Sequence, residues 1–170
     1  KNRNAIEEYN KEHIENAIFF DLDKNSNKKK NLPHGHFLPT ESEHEKNISE
    51  LGISNTDRIV IYCYSDLISS CRAWFQFLYF GHDPKLVSVL NGGMKKWKLE
   101  GKKVTNSKTK IIPCEYKAKE NKNMIKIKSQ IEKNIFKNEF TVVDARSKNR
   151  FLGLEPEPRP GIKSGSIEGS

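Results

Sequence analysis

The run Ile59-Val60-Ile61-Tyr62-Cys63 constrains this chain more than any other feature. Five successive apolar or aromatic residues leave no polar alternation, so a strand here is expected to be covered on both faces. Such strands belong to parallel sheets flanked by helices. The residues that follow fit this reading. Leu67, Cys71, Trp74, Phe75 and Leu78 predict one apolar face of a helix that starts near Ser69 and ends at Gly81. Val87-Ser88-Val89-Leu90 reads as a second strand, and Gly92-Gly93 turns the chain into a short helix carrying Trp97. Strand, helix, strand, helix at this spacing predicts an α/β fold with a parallel sheet and crossover helices.

Elements on either side extend the pattern. Residues 1–13 are polar, helical or extended at the surface, and Ala17-Ile18-Phe19-Phe20-Asp21-Leu22 is a short run of strand type before a polar loop, 23–36. Thr40-Glu41-Ser42-Glu43 has capping-box spacing, and Gly52 suits the position just past a helix over 41–51. Residues 101–123 are Lys-rich and weakly patterned, with Pro113 and a short apolar run at 111–116, and read as a connection between two units. Beyond it, Met124, Ile127, Ile131 and Ile135 mark a helix face, and Phe140-Thr141-Val142-Val143-Asp144 reads as a strand. Loop 145–166 follows, rich in Gly, Pro and Arg.

Composition narrows the function classes. Hydrophobic residues are 35% of 170, with nine Phe and two Trp, which supports a modest core and argues against wholesale disorder. No apolar run approaches the roughly 20 residues of a membrane-spanning helix. No apolar stretch follows Lys1-Asn2-Arg3-Asn4, so no secretory leader is expected there. The net charge is +8, yet only six of the 30 basic residues are Arg, and 16 residues are Asn. Lys and Asn are spread along the chain, with Lys28-Lys29-Lys30 the single run of three. The charge therefore reads as a solvated surface with a compositional bias, not a basic face for nucleic acid.

Three cysteines, Cys63, Cys71 and Cys114, are an odd count without a CxxC pair. Neither a disulfide framework nor a zinc knuckle is suggested, and a reducing, cytoplasmic setting fits. Cys63 ends a strand, precedes a tight loop over 64–68 and stands before a helix N-terminus. Backbone N–H groups in such a place favour a thiolate or a bound anion, although a small apolar residue ending a core strand has the same pattern. Cys71 is expected in the core. His34 and His36 lie in a proline-bounded loop with no third metal ligand evident. They fit a proton-transfer role oriented by Asp23, or plain solvation. Arg146, Arg150 and Arg159 cluster where the chain otherwise prefers Lys. This points to planar recognition of a carboxylate or similar anion, or to pairing with Glu155 or Glu157.

Several motifs together resemble the tandem-domain rhodanese family. His13-Ile14-Glu15-Asn16-Ala17 with Phe19-Phe20-Asp21-Leu22-Asp23 is similar to HIPGA-x-FFDID. Leu51-Gly52-Ile53-Ser54-Asn55, Trp74, Phe80-Gly81-His82-Asp83, and Leu90-Asn91-Gly92-Gly93 with Trp97 and Gly101 also fit. Val142-Val143-Asp144-Ala145-Arg146, Arg150-Phe151, Glu155-Pro156-Glu157-Pro158-Arg159 and Ser164-Gly165-Ser166-Ile167-Glu168-Gly169 resemble the opening of that family's second domain.

The resemblance implies a rhodanese-like parallel sheet flanked by helices. It implies an N-terminal domain over 1–105 lacking its first strand, a linker over 106–123 and an incomplete second domain from 124. It implies sulfur transfer from 3-mercaptopyruvate or thiosulfate through a cysteine persulfide to cyanide or to a thiol such as thioredoxin or glutathione. No metal, organic cofactor, nucleic acid or membrane is implied. The family's usual nucleophile sits in a CGSGVTA-like loop, which would follow residue 170, and the chain alone would then be inactive. Arg150 and Arg159 fall at the two substrate-binding arginines, and Asp23 and His36 at the pair proposed to assist proton transfer. Cys63 is a departure, because tandem members carry Asp there while single-domain members carry their nucleophile. Its loop, Tyr64-Ser65-Asp66-Leu67-Ile68, lacks the Gly and Arg of an active loop. Three rivals stand beside this reading: a non-catalytic partner-binding or sulfur-sensing module, a Cys-dependent phosphatase and a nucleic-acid binder. A mitochondrial location also fits the resemblance.

Overall fold

The structure is a computed structural model that describes residues 3–27, 37–64, 68–158 and 161–170. Two compact units divide at Met124 and Ile125.

In the first unit, β1 (Ile59–Ile61) and β2 (Val87–Val89) pair in parallel with Ile59 opposite Val87. The crossover between them is α3 (Ile68–Tyr79). After β2 comes α4 (Gly93–Leu99), while α1 (Ala5–Lys11) and α2 (Glu41–Glu50) precede the sheet. The observed architecture is thus α/β, a small parallel sheet flanked by helices.

α2 forms where its local chemistry requires. The Glu43 backbone N–H donates to Thr40 Oγ1 at 3.3 Å, and the Thr40 N–H donates to Glu43 Oε2 at 2.7 Å, so both halves of the capping box are made. At the other end Gly52 has φ +68°, and the Ile53 N–H reaches back to the Ile48 carbonyl at 3.3 Å. A side chain at Gly52 would be strained in the left-handed region and would meet the Ile112 carbonyl oxygen at 2.5 Å.

The core joins Ile48 of α2, Phe77 of α3, Val87 of β2 and Tyr116. Each such side chain contributes about 1.5–3 kcal/mol on burial. Tyr116 lies in the Lys-rich segment read from sequence as a linker, and that segment instead straps the first unit. Thr105 bridges to His13, the Cys114 N–H donates to the Ser49 carbonyl, and the Tyr116 N–H donates to Ser49 Oγ. Asn55 exchanges two hydrogen bonds with the Lys117 backbone, each 2.8 Å, and the Lys119 N–H donates to the Phe80 carbonyl.

Three expectations need correction. Val60 is 55% exposed, because its face of the two-stranded sheet opens onto a cavity instead of being covered by a helix. Residues 17–22 form no ladder, since a strand needs a neighbour for its backbone groups and none pairs with them among the described residues. On α3 the buried residues are Ser70, Ala73, Gln76, Phe77 and Tyr79, whereas Cys71 and Trp74 are exposed. The buried stripe is rotated toward Gln76, whose amide nitrogen finds partners inside. Gln76 Nε2 donates to the Asn25 carbonyl at 3.0 Å and lies 3.2 Å from His44 Nδ1. His44, fully buried, stacks on Phe80 with centroids 4.1 Å apart. Burial, assisted by nearby His82, pushes the His44 imidazole down to about 3.

The second unit holds α5 (Lys128–Lys137) and α6 (Lys148–Phe151). Asn134 of α5 brackets Phe140, its side chain donating to the Phe140 carbonyl and accepting from the Phe140 N–H. Residues 140–144 form no strand, as no ladder partner lies among the described residues.

Candidate functional site

Cys63 stands two residues past the end of β1 and is half-buried. Its carbonyl accepts the Met94 N–H at 3.1 Å. That contact depends on Gly93, which has φ +53° and where a Cβ would lie 2.7 Å from the Cys63 oxygen. The glycine pair read as a turn from sequence is therefore also the support of the strand end. Tyr64 follows with a hydroxyl group that is buried and has no hydrogen-bond partner among the described residues. Residues 65–67 of the loop lie outside the described residues.

Cys63 and Asp23 line one cavity of about 930 Å³ in the first unit, together with Phe19, Tyr62 and Ser70. Asp23 is exposed there, and its N–H donates to Asp21 Oδ1 at 2.9 Å. His36, expected beside Asp23, and its competitor His34 lie outside the described residues.

In the second unit Arg146 and Arg150 meet around one carboxylate. Ser147 Oγ caps α6 by accepting the Arg150 N–H, which places Arg150 on the first turn. Arg146 donates from Nε to both Asp144 oxygens at 2.9 and 3.0 Å, and from Nη2 to Asp144 Oδ2 at 2.5 Å. Its Nη2 also reaches the Gly165 carbonyl at 2.7 Å, and its Nη1 reaches Glu157 Oε1 at 2.6 Å. Arg150 donates to the same Glu157, from Nη2 to Oε2 at 2.5 Å and from Nε to Oε1 at 3.4 Å. The hydrogen bonds from Arg146 hold the Asp144 carboxyl down to about 2, and those from Arg150 and then Arg146 lower that of Glu157. Arg159 lies outside the described residues.

The pairing with Glu157 was one of the two sequence readings of these arginines. Nothing in the sequence marks a single carboxylate as serving both. The spacing Arg146, Arg150, Glu157 was visible, but which partner each arginine takes depends on how loop 152–157 folds back. At this cluster the unit can present a fixed cation to a small anion.

A family model described as "Rhodanese-like domain" matches residues 3–100. Over 99% of its length the chain is 36% identical to the thiosulfate/3-mercaptopyruvate sulfurtransferase 1, mitochondrial, of Arabidopsis thaliana, covering 49% of that protein. It is likewise 36% identical to the human 3-mercaptopyruvate sulfurtransferase, covering 56% of it. Among solved structures, SseA of Escherichia coli superposes with a TM-score of 0.81 at 27% identity, over 98% of this chain and 61% of that one. Tum1 of Saccharomyces cerevisiae superposes with a TM-score of 0.78 at 29% identity, over 98% of this chain and 57% of that one. The chain spans about half the length of the curated relatives it matches.

Proposed function

As the chain belongs to the rhodanese family, we propose that it is part of a sulfurtransferase that takes sulfur from a small anionic donor, 3-mercaptopyruvate or thiosulfate. The likeness to sulfurtransferases along 99% of the chain carries this reading. In the proposed reaction a cysteine thiolate attacks the donor sulfur. With mercaptopyruvate the C–S bond breaks, its electron pair leaves on the enolate of pyruvate, and that enolate takes a proton. The enzyme persulfide then passes its outer sulfur to cyanide or to a thiol such as thioredoxin or glutathione.

Arg150 and Arg159 bind the donor in this scheme. Mercaptopyruvate offers a carboxylate and a keto oxygen, which accept from more than one guanidinium. Asp23 and His36 are proposed to handle the proton. None of the three cysteines in residues 1–170 begins a loop with the glycine spacing of the family's nucleophile, and Cys63 is retained as the alternative one. That same observation favours a second reading, a rhodanese-like module that binds a partner or senses sulfur state without turnover.

Kinetics of the full-length protein test the proposal. Arg150→Ala is expected to raise KM for both donors. Arg159→Ala is expected to raise it more for mercaptopyruvate, by roughly ten- to 150-fold if a charge-assisted hydrogen bond of about 1.5–3 kcal/mol is lost. An equal, small change with both donors removes Arg159 from the site. No turnover with either donor leaves the non-catalytic module.

A further inference from the structure

Arg146 and Arg150 both carry five N–H donors, but the fold uses them differently. Arg146 spends its Nε edge on Asp144, its Nη1 on Glu157 and its Nη2 on Asp144 and the Gly165 carbonyl. Little of it remains for a ligand. Arg150 spends only the edge formed by Nε and Nη2, laid side-on against Glu157. Its opposite, end-on edge, formed by Nη1 and the second hydrogen of Nη2, meets no acceptor among the described residues, and the side chain is 28% exposed. A guanidinium held by one edge presents the other as a fixed fork, the shape a carboxylate or thiosulfate oxyanion accepts. Glu157 is the piece that makes this division. Its side chain is only 4% exposed; its Oε1 accepts from both Arg146 and Arg150, and its Oε2 from Arg150.

We propose that Glu157 is the positioning residue of the anion site: it anchors Arg150 to the fixed Arg146–Asp144 pair so that the end-on edge of Arg150 faces the incoming donor. This deepens the sulfurtransferase reading above and rests on it for the identity of the anion. The role requires a carboxylate. An amide in its place has one acceptor oxygen, and its NH2 group would confront one of the two cations. Arg150 would then rotate, and each binding event would have to fix it again.

The test uses the full-length protein with Glu157→Gln and Glu157→Asp, assayed with mercaptopyruvate and with thiosulfate. Glu157→Gln is expected to raise KM for both donors about tenfold with kcat within about twofold, and Glu157→Asp, which keeps the charge on a shorter stem, to recover part of the loss. Unchanged KM in Glu157→Gln overturns the proposal. So does a lower KM, which would mean that Glu157 only competes with the donor for Arg150. The Arg150 Nε–H resonance supplies the second readout. Addition of pyruvate is expected to shift it in the wild type and much less in Glu157→Gln; equal shifts refute the positioning role. Should the wild type turn over neither donor, the sulfurtransferase reading alone falls, and the pyruvate titration still decides the role of Glu157. A Glu157→Gln protein that does not fold, beside a Glu157→Asp protein with wild-type KM, also counts against positioning.

Discussion

Acidification from pH 7.5 to 5.0 is the perturbation that the buried His44 makes quantitative. Its imidazole is fully buried against Phe80 and faces Gln76, and it is held down to about 3. In the unfolded chain the same group returns to about 6.5. The folded value lies below the unfolded one, so protons bind preferentially to the unfolded state. Stability is then complete above about pH 6.5 and is lost as pH falls from there toward 3. At pH 5.0 the loss from this one group is about 2 kcal/mol, and with a typical urea slope of 1–3 kcal/mol/M the midpoint drops by about 1 M. Trp74 and Trp97, the two tryptophans of the chain, both lie in the first unit, so their fluorescence reports its unfolding alone. The pH dependence of a whole domain sums over many groups. The decisive quantity is therefore the difference between the wild type and His44→Phe, which keeps a ring against Phe80. The variant is expected to lose most of the shift between the two pH values. Equal shifts in both proteins would refute the argument.

Two further outcomes are expected from backbone features. Gly93→Ala forces a Cβ into the left-handed region and onto the Cys63 carbonyl, so the first unit should lose about 1–3 kcal/mol, read from the same fluorescence midpoint; a change under about 0.5 kcal/mol would show that the turn relaxes freely. Thr40→Ala removes one half of the capping box of α2 and is expected to cost about 0.5–2 kcal/mol in the same assay, whereas Ser42→Ala, two residues further on, should cost far less.

What could be read from the chain was what local chemistry decides. Thr40, Glu43 and Gly52 specify the ends of α2 through bonds within a few residues, and both ends stand where the spacing places them. Gly92-Gly93 was legible as a turn for the same reason. Burial was less legible, because it depends on what covers a residue. Val60 belongs to an apolar run yet is exposed, and Ser70 and Gln76 are polar yet buried. The face of α3 was misplaced since hydrophobic periodicity does not register a glutamine that answers a histidine 32 positions away. The role of Tyr116 was hidden by its Lys-rich neighbours. The scarcity of arginine singles out Arg146 and Arg150, but which partner each takes depends on a carboxylate that both share.

The strap over 105–121 governs the order in which the first unit can be completed. Its bonds reach back to His13, Ser49, Asn55 and Phe80, and Tyr116 fills space between α2 and the turn at His82. Contacts at such separations make loop closure the slow, entropically costly step. During synthesis, α2, β1, α3 and β2 would all be available while the pocket for Tyr116 still stood open to water. A nascent chain stopped near residue 105 would lack the Tyr116 ring that meets His44 and His82. Tyr116 belongs to the core of the first unit, so that core is complete only once the strap has been synthesised and docked.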